Sequence, residues 1–185
     1  MKFLFVHHSF PGQCRHIVRA LASQSGNEIV GLGINSLSAP VPKNVRFIQY
    51  SLKRGNTSNI HPWLVDVDSK LIRAEACARA ADELHNQGFV PDIICAHPGW
   101  GESLFLKDIW PYVPLLTYQE FFYHAHGFDC NFDEELQGKP DWKACASVRV
   151  KKANLLLNLE ASNWNVTPIF FSEVVSQPVG KTTLV

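Results

Sequence analysis

The sequence predicts an α/β domain of three layers, in which a mainly parallel sheet is covered by helices on both faces. Helix-patterned segments or long connections separate its apolar runs, as parallel strands require. A chain of 185 residues with 46% hydrophobic content can bury one substantial core, which favours a single domain. The predicted strands are Lys2–Val6, Glu28–Leu32, Val45–Tyr50, Asp92–Ala96 and Leu115–Tyr118.

Composition excludes several classes of function. The 17 basic residues balance the 17 acidic ones, which removes the usual electrostatic argument for a nucleic-acid partner. No window approaches the roughly 18 consecutive apolar residues of a membrane span, and the apolar run at the start is too short for a signal peptide. The five cysteines are odd in number and irregularly spaced, which favours reduced thiols over disulfides or zinc. We therefore expect a cytoplasmic protein.

The first predicted strand leads into a polar turn that contains His7 and Gly12, and a helix pattern follows over Cys14–Leu21. This order is typical of the opening half of a βαβ unit. Gly12 would let backbone N–H groups approach a phosphate at the helix N-terminus. A single glycine is not the G-x-G-x-x-G fingerprint, so the turn gives little support for a dinucleotide cofactor.

The fourth predicted strand leads into the segment AHPGWGESLFLKD, Ala96–Asp108, which must turn sharply at Pro98 and Gly99. Ligands bind at the carboxyl ends of the strands in an open α/β sheet, so this turn is predicted to form one lip of a cleft. Glu102 is placed at the start of a short helix that extends to Ile109, the favourable end for a carboxylate. The alternative, that His97 only ends a strand and Trp100 only packs, is left open.

The fifth predicted strand is followed by Gln119, Glu120, Tyr123, His124 and His126, again at a carboxyl end. The two histidines resemble a metal pair but lack a third ligand at a recognisable spacing, so no metal site is predicted. The aromatic residues of this segment would either form the wall of a pocket or pack locally. These aromatic residues are Phe121, Phe122, Tyr123 and Phe128.

Two long helices are predicted. The first spans about Pro62–Gln87, and the second runs from Trp142 to about Ser162 after a polar loop at Asp129–Asp141. Asn163–Val166 would form one more short strand. The stripe predicted to face the sheet from the first helix consists of Leu64, Val67, Leu71, Ala74, Ala78 and Ala81.

Four ordered blocks together resemble the amino-terminal domain of a bacterial group of family 4 glycosyltransferases. The blocks are Phe5–Ile17, Ala96–Asp108, Pro114–Tyr123 and Asn154–Thr167. The similarity covers about residues 1–168 and implies a Rossmann-like domain, the N-terminal half of a GT-B fold. Residues 169–185 then form a tail that is truncated relative to the family, because the expected second domain has no counterpart here.

The resemblance implies the acceptor-binding half of a retaining transferase, which moves a sugar from a nucleotide-sugar to an acceptor hydroxyl in glycan or polysaccharide biosynthesis. The nucleotide-sugar would be a co-substrate bound mainly by the C-terminal domain, and no other cofactor is implied. The implied partners are a sugar or glycan acceptor, a C-terminal domain and a second copy of the chain. The complete enzyme would be cytoplasmic or peripheral to the inner membrane, and this chain alone is expected to be inactive.

A retaining transferase must stabilise a departing nucleotide diphosphate and an oxocarbenium-like sugar, chiefly by positioning and charge. His97 is predicted as the catalytic residue, which would hydrogen-bond the reacting sugar. Gly12 and Gln13 would offer backbone donors to the donor phosphate. The residues predicted to bind the acceptor or the sugar are Trp100, Glu102, Glu120, Tyr123 and His124.

Two alternatives remain beside the transferase. A free-standing binding domain descended from such an enzyme is consistent with the missing donor half. A metal-dependent sugar deacetylase is suggested because Ala96-His97-Pro98 followed by an acid is similar to the AHPDDE motif of that class. The segment lacks the adjacent aspartates of the motif and lies on a late strand, so the deacetylase is the less favoured alternative.

Overall fold

The computed structural model describes residues 1–124 and 141–168, together with a short strand at 183–184. Within these residues the strands form one sheet in the order β3-β2-β1-β4-β5-β6-β7, and all neighbouring strands are parallel. The strands are β1 Lys2–Val6, β2 Glu28–Gly33, β3 Val45–Gln49, β4 Ile93–Ala96, β5 Leu115–Tyr118, β6 Trp164–Val166 and β7 Thr183–Leu184.

The direction in which strands are added to the sheet reverses at β1. β2 and β3 extend the sheet on one side of β1, and β4 begins the extension on the other side. Val6 is in register with Leu32 of β2 and with Ala96 of β4, so these three strands end at the same level. The carboxyl ends of β1 and β4 therefore flank the topological switch point, where ligands bind in open α/β sheets.

The helices connect the strands across both faces of the sheet. They are α1 Arg15–Ala22, α2 Val65–Asn86, α3 Leu106–Ile109, α4 Trp142–Lys151 and α5 Ala153–Ala161. A short 3-10 turn, Gly12–Cys14, leads into α1, and a second one, Pro62–Leu64, leads into α2. Asp141 caps α4 by accepting the backbone N–H of Ala144 at 2.8 Å. Among the described residues, no helix has the length and apolarity needed to cross a bilayer.

The core lies on both faces of the sheet, because side chains alternate along each strand. Leu4 and Val6 face α2 and pack in one buried cluster with Cys77 and Leu84. Phe5 faces the opposite side, where it belongs to the cluster around α1. This arrangement confirms the predicted three-layer, mainly parallel fold.

Two predictions about the helices are wrong. Leu64 and Leu71, predicted to face the sheet, are 46% and 39% exposed, whereas Ile72 and Leu84 are buried. Apolar residues occupy several sides of α2, so packing against the sheet, rather than the local pattern, decides which side is buried. The predicted helix from Trp142 to Ser162 is two helices, α4 and α5, interrupted at Lys152. Most of the predicted loop Asp129–Asp141 and most of the tail after residue 168 lie outside the described residues, so the predicted domain boundary stays a prediction.

Candidate functional site

Two histidines occupy equivalent positions at the switch point. His7 directly follows β1 and donates its backbone N–H to Leu32 O at 3.1 Å, and His97 directly follows β4 and donates to Val6 O at 3.0 Å. The strands deliver both residues at the same level, because Val6 and Ala96 are register partners. The two imidazole rings meet edge to face, with centroids 5.3 Å apart.

The turn after each histidine determines which ring nitrogen carries the proton. Ser9 donates its backbone N–H to His7 Nδ1 at 3.0 Å, and Gly99 donates to His97 Nδ1 at 3.3 Å. A ring nitrogen that accepts a hydrogen bond carries no proton, so each neutral ring has its proton on Nε2. Both rings therefore present Nε2–H as a hydrogen-bond donor.

These donors are linked to one carboxylate. His97 Nε2 lies 3.3 Å from Glu120 Oε2, and Gln13 donates its side-chain amide to Glu120 Oε1, also at 3.3 Å. His7 Nε2 in turn donates to Gln13 Oε1 at 2.5 Å. Three hydrogen bonds thus join the four side chains in a row, and the contact between the two imidazole rings closes the row into a circuit. The turns after β1, β4 and β5 each contribute to it. The structure therefore brings together Gln13, His97 and Glu120, three of the residues predicted from the sequence.

His7 is the member of this circuit that was not singled out as a site residue from the sequence. Burial lowers its pKa, and the neighbouring His97 lowers it further. Neutral His7 is therefore favoured at neutral pH, and this form can accept the Ser9 N–H at Nδ1 while it donates through Nε2. The sequence did contain a signal for His7 as a site residue: it directly follows an apolar strand, as His97 does.

A glycine packs against each imidazole ring. Gly12 has φ +49°, and a Cβ built there would lie 2.3 Å from the His7 ring. A Cβ on Gly99 would lie 2.7 Å from Cε1 of His97. Both positions thus exclude a side chain, because the rings occupy that space. The sequence analysis explained Gly12 by the approach of a phosphate. The packing of the His7 ring is a second reason why this position has no side chain.

A small pocket opens beside His97 and Glu120. Phe121 and Tyr123 line it with nearly parallel rings 6.4 Å apart. Phe122 is buried and packs with α5 instead. Both aromatic alternatives therefore occur: Phe121 and Tyr123 line the pocket, and Phe122 packs.

Buried amides on α5 hold the turn that carries His97. Asn154 donates to Pro98 O at 2.9 Å, and Asn158 donates to Asn154 O at 2.8 Å. Ser103 completes the chain with a short hydrogen bond to Asn158 Oδ1. Ser103, Asn154 and Asn158 are all at most 1% exposed, so these bonds are shielded from water.

Trp100 and Glu102 lie outside the pocket. Trp100 stacks on His8 with centroids 5.0 Å apart, and the Arg73 guanidinium lies 5.5 Å from the indole centroid. Glu102 is fully buried, with Oε1 at 3.8 Å from His8 Nδ1. The prediction that Glu102 opens the short helix is wrong, because residues 102–105 continue the turn and α3 begins at Leu106. That Trp100 and Glu102 bind the acceptor or the sugar stays a prediction.

His124 lies beside Phe122, with ring centroids 5.8 Å apart. Within residues 1–124 and 141–168, no three His, Cys, Asp or Glu side chains lie close enough together to hold a metal ion, and His126 lies outside these ranges. The deacetylase alternative stays a prediction.

The fold and the polar residues at its switch point define a Rossmann-like α/β domain. Residues 25–174 match the model of the glycosyl transferase family 4 group, so the chain belongs to that family. None of the curated protein sequences matches the chain closely enough to count as a relative.

Several solved structures are similar to the chain in fold. UGT2 from Phytolacca americana, complexed with UDP-2fluoro-glucose and pterostilbene, has 9% identity and a TM-score of 0.55, and the match covers 91% of this chain and 48% of that one. A Polygonum tinctorium UDP-glucosyltransferase has 8% identity and a TM-score of 0.51, with 98% and 50% covered. UDP-GlcNAc 2-epimerase from Neisseria meningitidis, bound to UDP-GlcNAc, has 12% identity and a TM-score of 0.51, with 100% and 45% covered. The chain thus spans about half the length of these structures.

Proposed function

We propose that this chain is the acceptor-side domain of a retaining glycosyltransferase, which transfers a sugar from a nucleotide-sugar to an acceptor hydroxyl in glycan or polysaccharide biosynthesis. The observation that carries the proposal is the Glu120 carboxylate, which His97 and Gln13 hold beside a pocket at the switch point. Membership of the family supplies the reaction class. The complete enzyme would act in the cytoplasm or at the inner surface of the membrane.

The pocket would hold the acceptor next to the polar circuit. Glu120 lines the pocket with a side chain that is 33% exposed, and its carboxylate would accept a hydrogen bond from the acceptor hydroxyl. His97 would keep that carboxylate aimed and stabilise the charge that develops during transfer. The flat rings of Phe121 and Tyr123 suit the apolar face of a sugar.

The donor would approach from the side of β1. Gly12 and Gln13 line an open recess together with Ser9, Arg15 and His16. Backbone N–H groups beside a basic side chain suit a diphosphate, which supports the predicted role of this turn. Two structures of similar fold contain UDP-sugars, and this chain spans about half of each, so we assign most of the donor site to a second domain.

The division into two halves is tested by calorimetry of this chain with UDP-glucose and UDP-GlcNAc. We expect no strong binding, because we assign most of the donor site to a second domain. Sugar transfer should occur only when a donor-binding domain is present. Micromolar binding to the chain alone would contradict the division and favour a self-contained site.

The acceptor role is tested by saturation-transfer NMR with a panel of monosaccharides and oligosaccharides. Binding should be lost in Glu120→Ala and retained in His16→Ala, which changes an exposed histidine on α1 outside the pocket. Saccharide binding that persists in Glu120→Ala would place the acceptor elsewhere. Binding without transfer by any assembled enzyme would favour the free-standing binding domain.

A further inference from the structure

We propose that His7 is a positioning residue: through the Gln13 amide, it holds the Glu120 carboxylate in the orientation that His97 also fixes. The proposal rests on the proposed function, since the orientation of Glu120 matters for transfer only if the acceptor binds beside it. The Gln13 side chain would then orient Glu120, whereas the Gln13 backbone would contact the donor phosphate.

The hydrogen bonds of this support run in one direction. The Ser9 backbone N–H donates to His7 Nδ1, His7 Nε2–H donates to Gln13 Oε1, and the Gln13 amide donates to Glu120 Oε1. The imidazole and the Gln13 amide each accept from one neighbour and donate to the next, and the series ends on the carboxylate. Such a series polarises each bond in turn, so the bond to Glu120 is strengthened by those before it.

The orientation of the Gln13 amide depends on the proton of His7. An amide has an oxygen that accepts and a nitrogen that donates. With the proton on His7 Nε2, the amide oxygen faces His7 and the nitrogen faces Glu120. With the proton on Nδ1, His7 Nε2 would become an acceptor, and the amide would have to reverse. Its oxygen would then face the carboxylate, and the two would repel.

The surroundings of His7 favour the required form. The Ser9 N–H occupies Nδ1, and the backbone of Gly12 closes one face of the ring. The titratable groups around the ring are His97 from the β4 turn and, beyond the first contacts, Glu102 and Glu120. Arg15 and His16 line the same open recess as His7. Burial and His97 both lower the pKa of His7, which keeps it neutral.

The first experiment is a two-dimensional long-range ¹H–¹⁵N NMR spectrum of this chain with labelled histidine at pH 7.5. We expect His7 to show the Nε2–H tautomer. The Nδ1–H tautomer would overturn the proposal, because His7 could not then donate to Gln13. The tautomer of His7 does not depend on sugar transfer. A negative result here would therefore contradict the positioning role of His7 without bearing on the proposed function.

The second experiment compares His7→Gln with His7→Asn in the assembled enzyme. A glutamine places an amide nitrogen near the position of Nε2 and can still donate to Gln13, whereas an asparagine reaches only the position of Nδ1. We expect His7→Asn to lower kcat about tenfold with the donor KM unchanged, and His7→Gln to recover most of that loss. Equal losses in both variants, or none in His7→Asn, would overturn the proposal.

A double-mutant cycle tests whether His7 acts through Gln13. Gln13→Met keeps the length of the side chain and removes both hydrogen bonds, so it should also cost about tenfold in kcat. Because both substitutions break the same series, the double variant should lose about tenfold rather than a hundredfold. Fully additive losses would show that His7 acts independently of Gln13. Melting temperatures of all variants identify any that are simply unfolded.

Discussion

The turns after β1 and β4 are built on the same plan but are held in different ways. In each turn a histidine follows the strand, accepts a backbone N–H two residues later and packs against a glycine. The side chain of His7 then donates to a neutral amide, whereas that of His97 donates to a carboxylate. The shared plan places both imidazole rings at the same level of the sheet. Because their hydrogen-bond partners differ, we assign the two histidines different roles.

The supports beneath the two turns differ as well. The β4 turn is bonded to Asn154, which is 1% exposed. The β1 turn is held partly by contacts at the surface, such as the bond from Ser38 Oγ to Ser9 O at 2.8 Å. Buried bonds resist opening more than exposed ones do, so we expect the β4 turn to be the more rigid of the two.

The largest expected effect comes from removing His97. In the assembled enzyme, His97→Ala should raise the barrier to transfer by about 2 to 4 kcal/mol, if the ring acts like other preorganised polar donors. Steady-state kinetics and the melting temperature measure the two contributions separately. Unchanged turnover with a lowered melting temperature would show that His97 only supports the fold and has no catalytic role.

The next effect tests the buried support of the β4 turn. Asn154→Leu should lower the free energy of unfolding by about 1 to 3 kcal/mol, because Pro98 O loses its buried donor and Asn158 Nδ2 loses its bond to Asn154 Oδ1. The matched control is Asn44→Leu, which removes an exposed amide bond to Ala22 O. Urea denaturation should show a clearly smaller loss for the control. Equal losses would mean that burial does not distinguish the two supports.

A glycine comparison tests the packing against His7. Gly12 and Gly26 both have positive φ, but only at Gly12 would a Cβ meet another group, the His7 ring. Gly26→Ala should cost about 1 to 2 kcal/mol from backbone strain alone. Gly12→Ala should cost about 1 kcal/mol more, since the ring must shift. Equal unfolding free energies for the two variants would show that the ring yields freely.

The smallest effect is a pH dependence that His7 contributes. Its folded pKa lies below the ordinary value of 6.5, so between the two values the unfolded chain binds more protons. Stability should therefore fall as the pH drops below 6.5, until the folded pKa is passed. His97→Ala removes one cause of the lowering, so the NMR-measured pKa of His7 should rise in that variant. A pKa of His7 above 6.5 in the unsubstituted chain would contradict this assignment.

The sheet could be predicted closely because its signals are local. Each of the first five strands is a short apolar run that ends near a polar, glycine or proline residue, and their predicted bounds agree with the structure to within one residue. The break between α4 and α5 could not be predicted. Lys151 and Lys152 are good helix formers, so no residue at the interruption marks it.

The candidate site could be predicted in outline but not in its connections. Strand ends indicated His97 and Glu120, because ligand sites collect at that edge of a parallel sheet. The bridge from His7 through Gln13 to Glu120 joins residues more than a hundred positions apart, and no spacing encodes it. The burial of Glu102 was missed for a related reason, since only the path of the whole turn carries that side chain inward.

The β4 turn is confined from two directions, by Asn154 of α5 and by α2, whose Lys70 carbonyl lies 2.5 Å from where a Cβ on Gly101 would be. Its backbone amides should therefore exchange with solvent at rates set by the opening of those helices rather than at loop rates. In the proposed enzyme, an acceptor would meet a turn whose conformational entropy was already lost when the chain folded. The ordering cost of binding would then fall on the acceptor and on the proposed donor-binding domain.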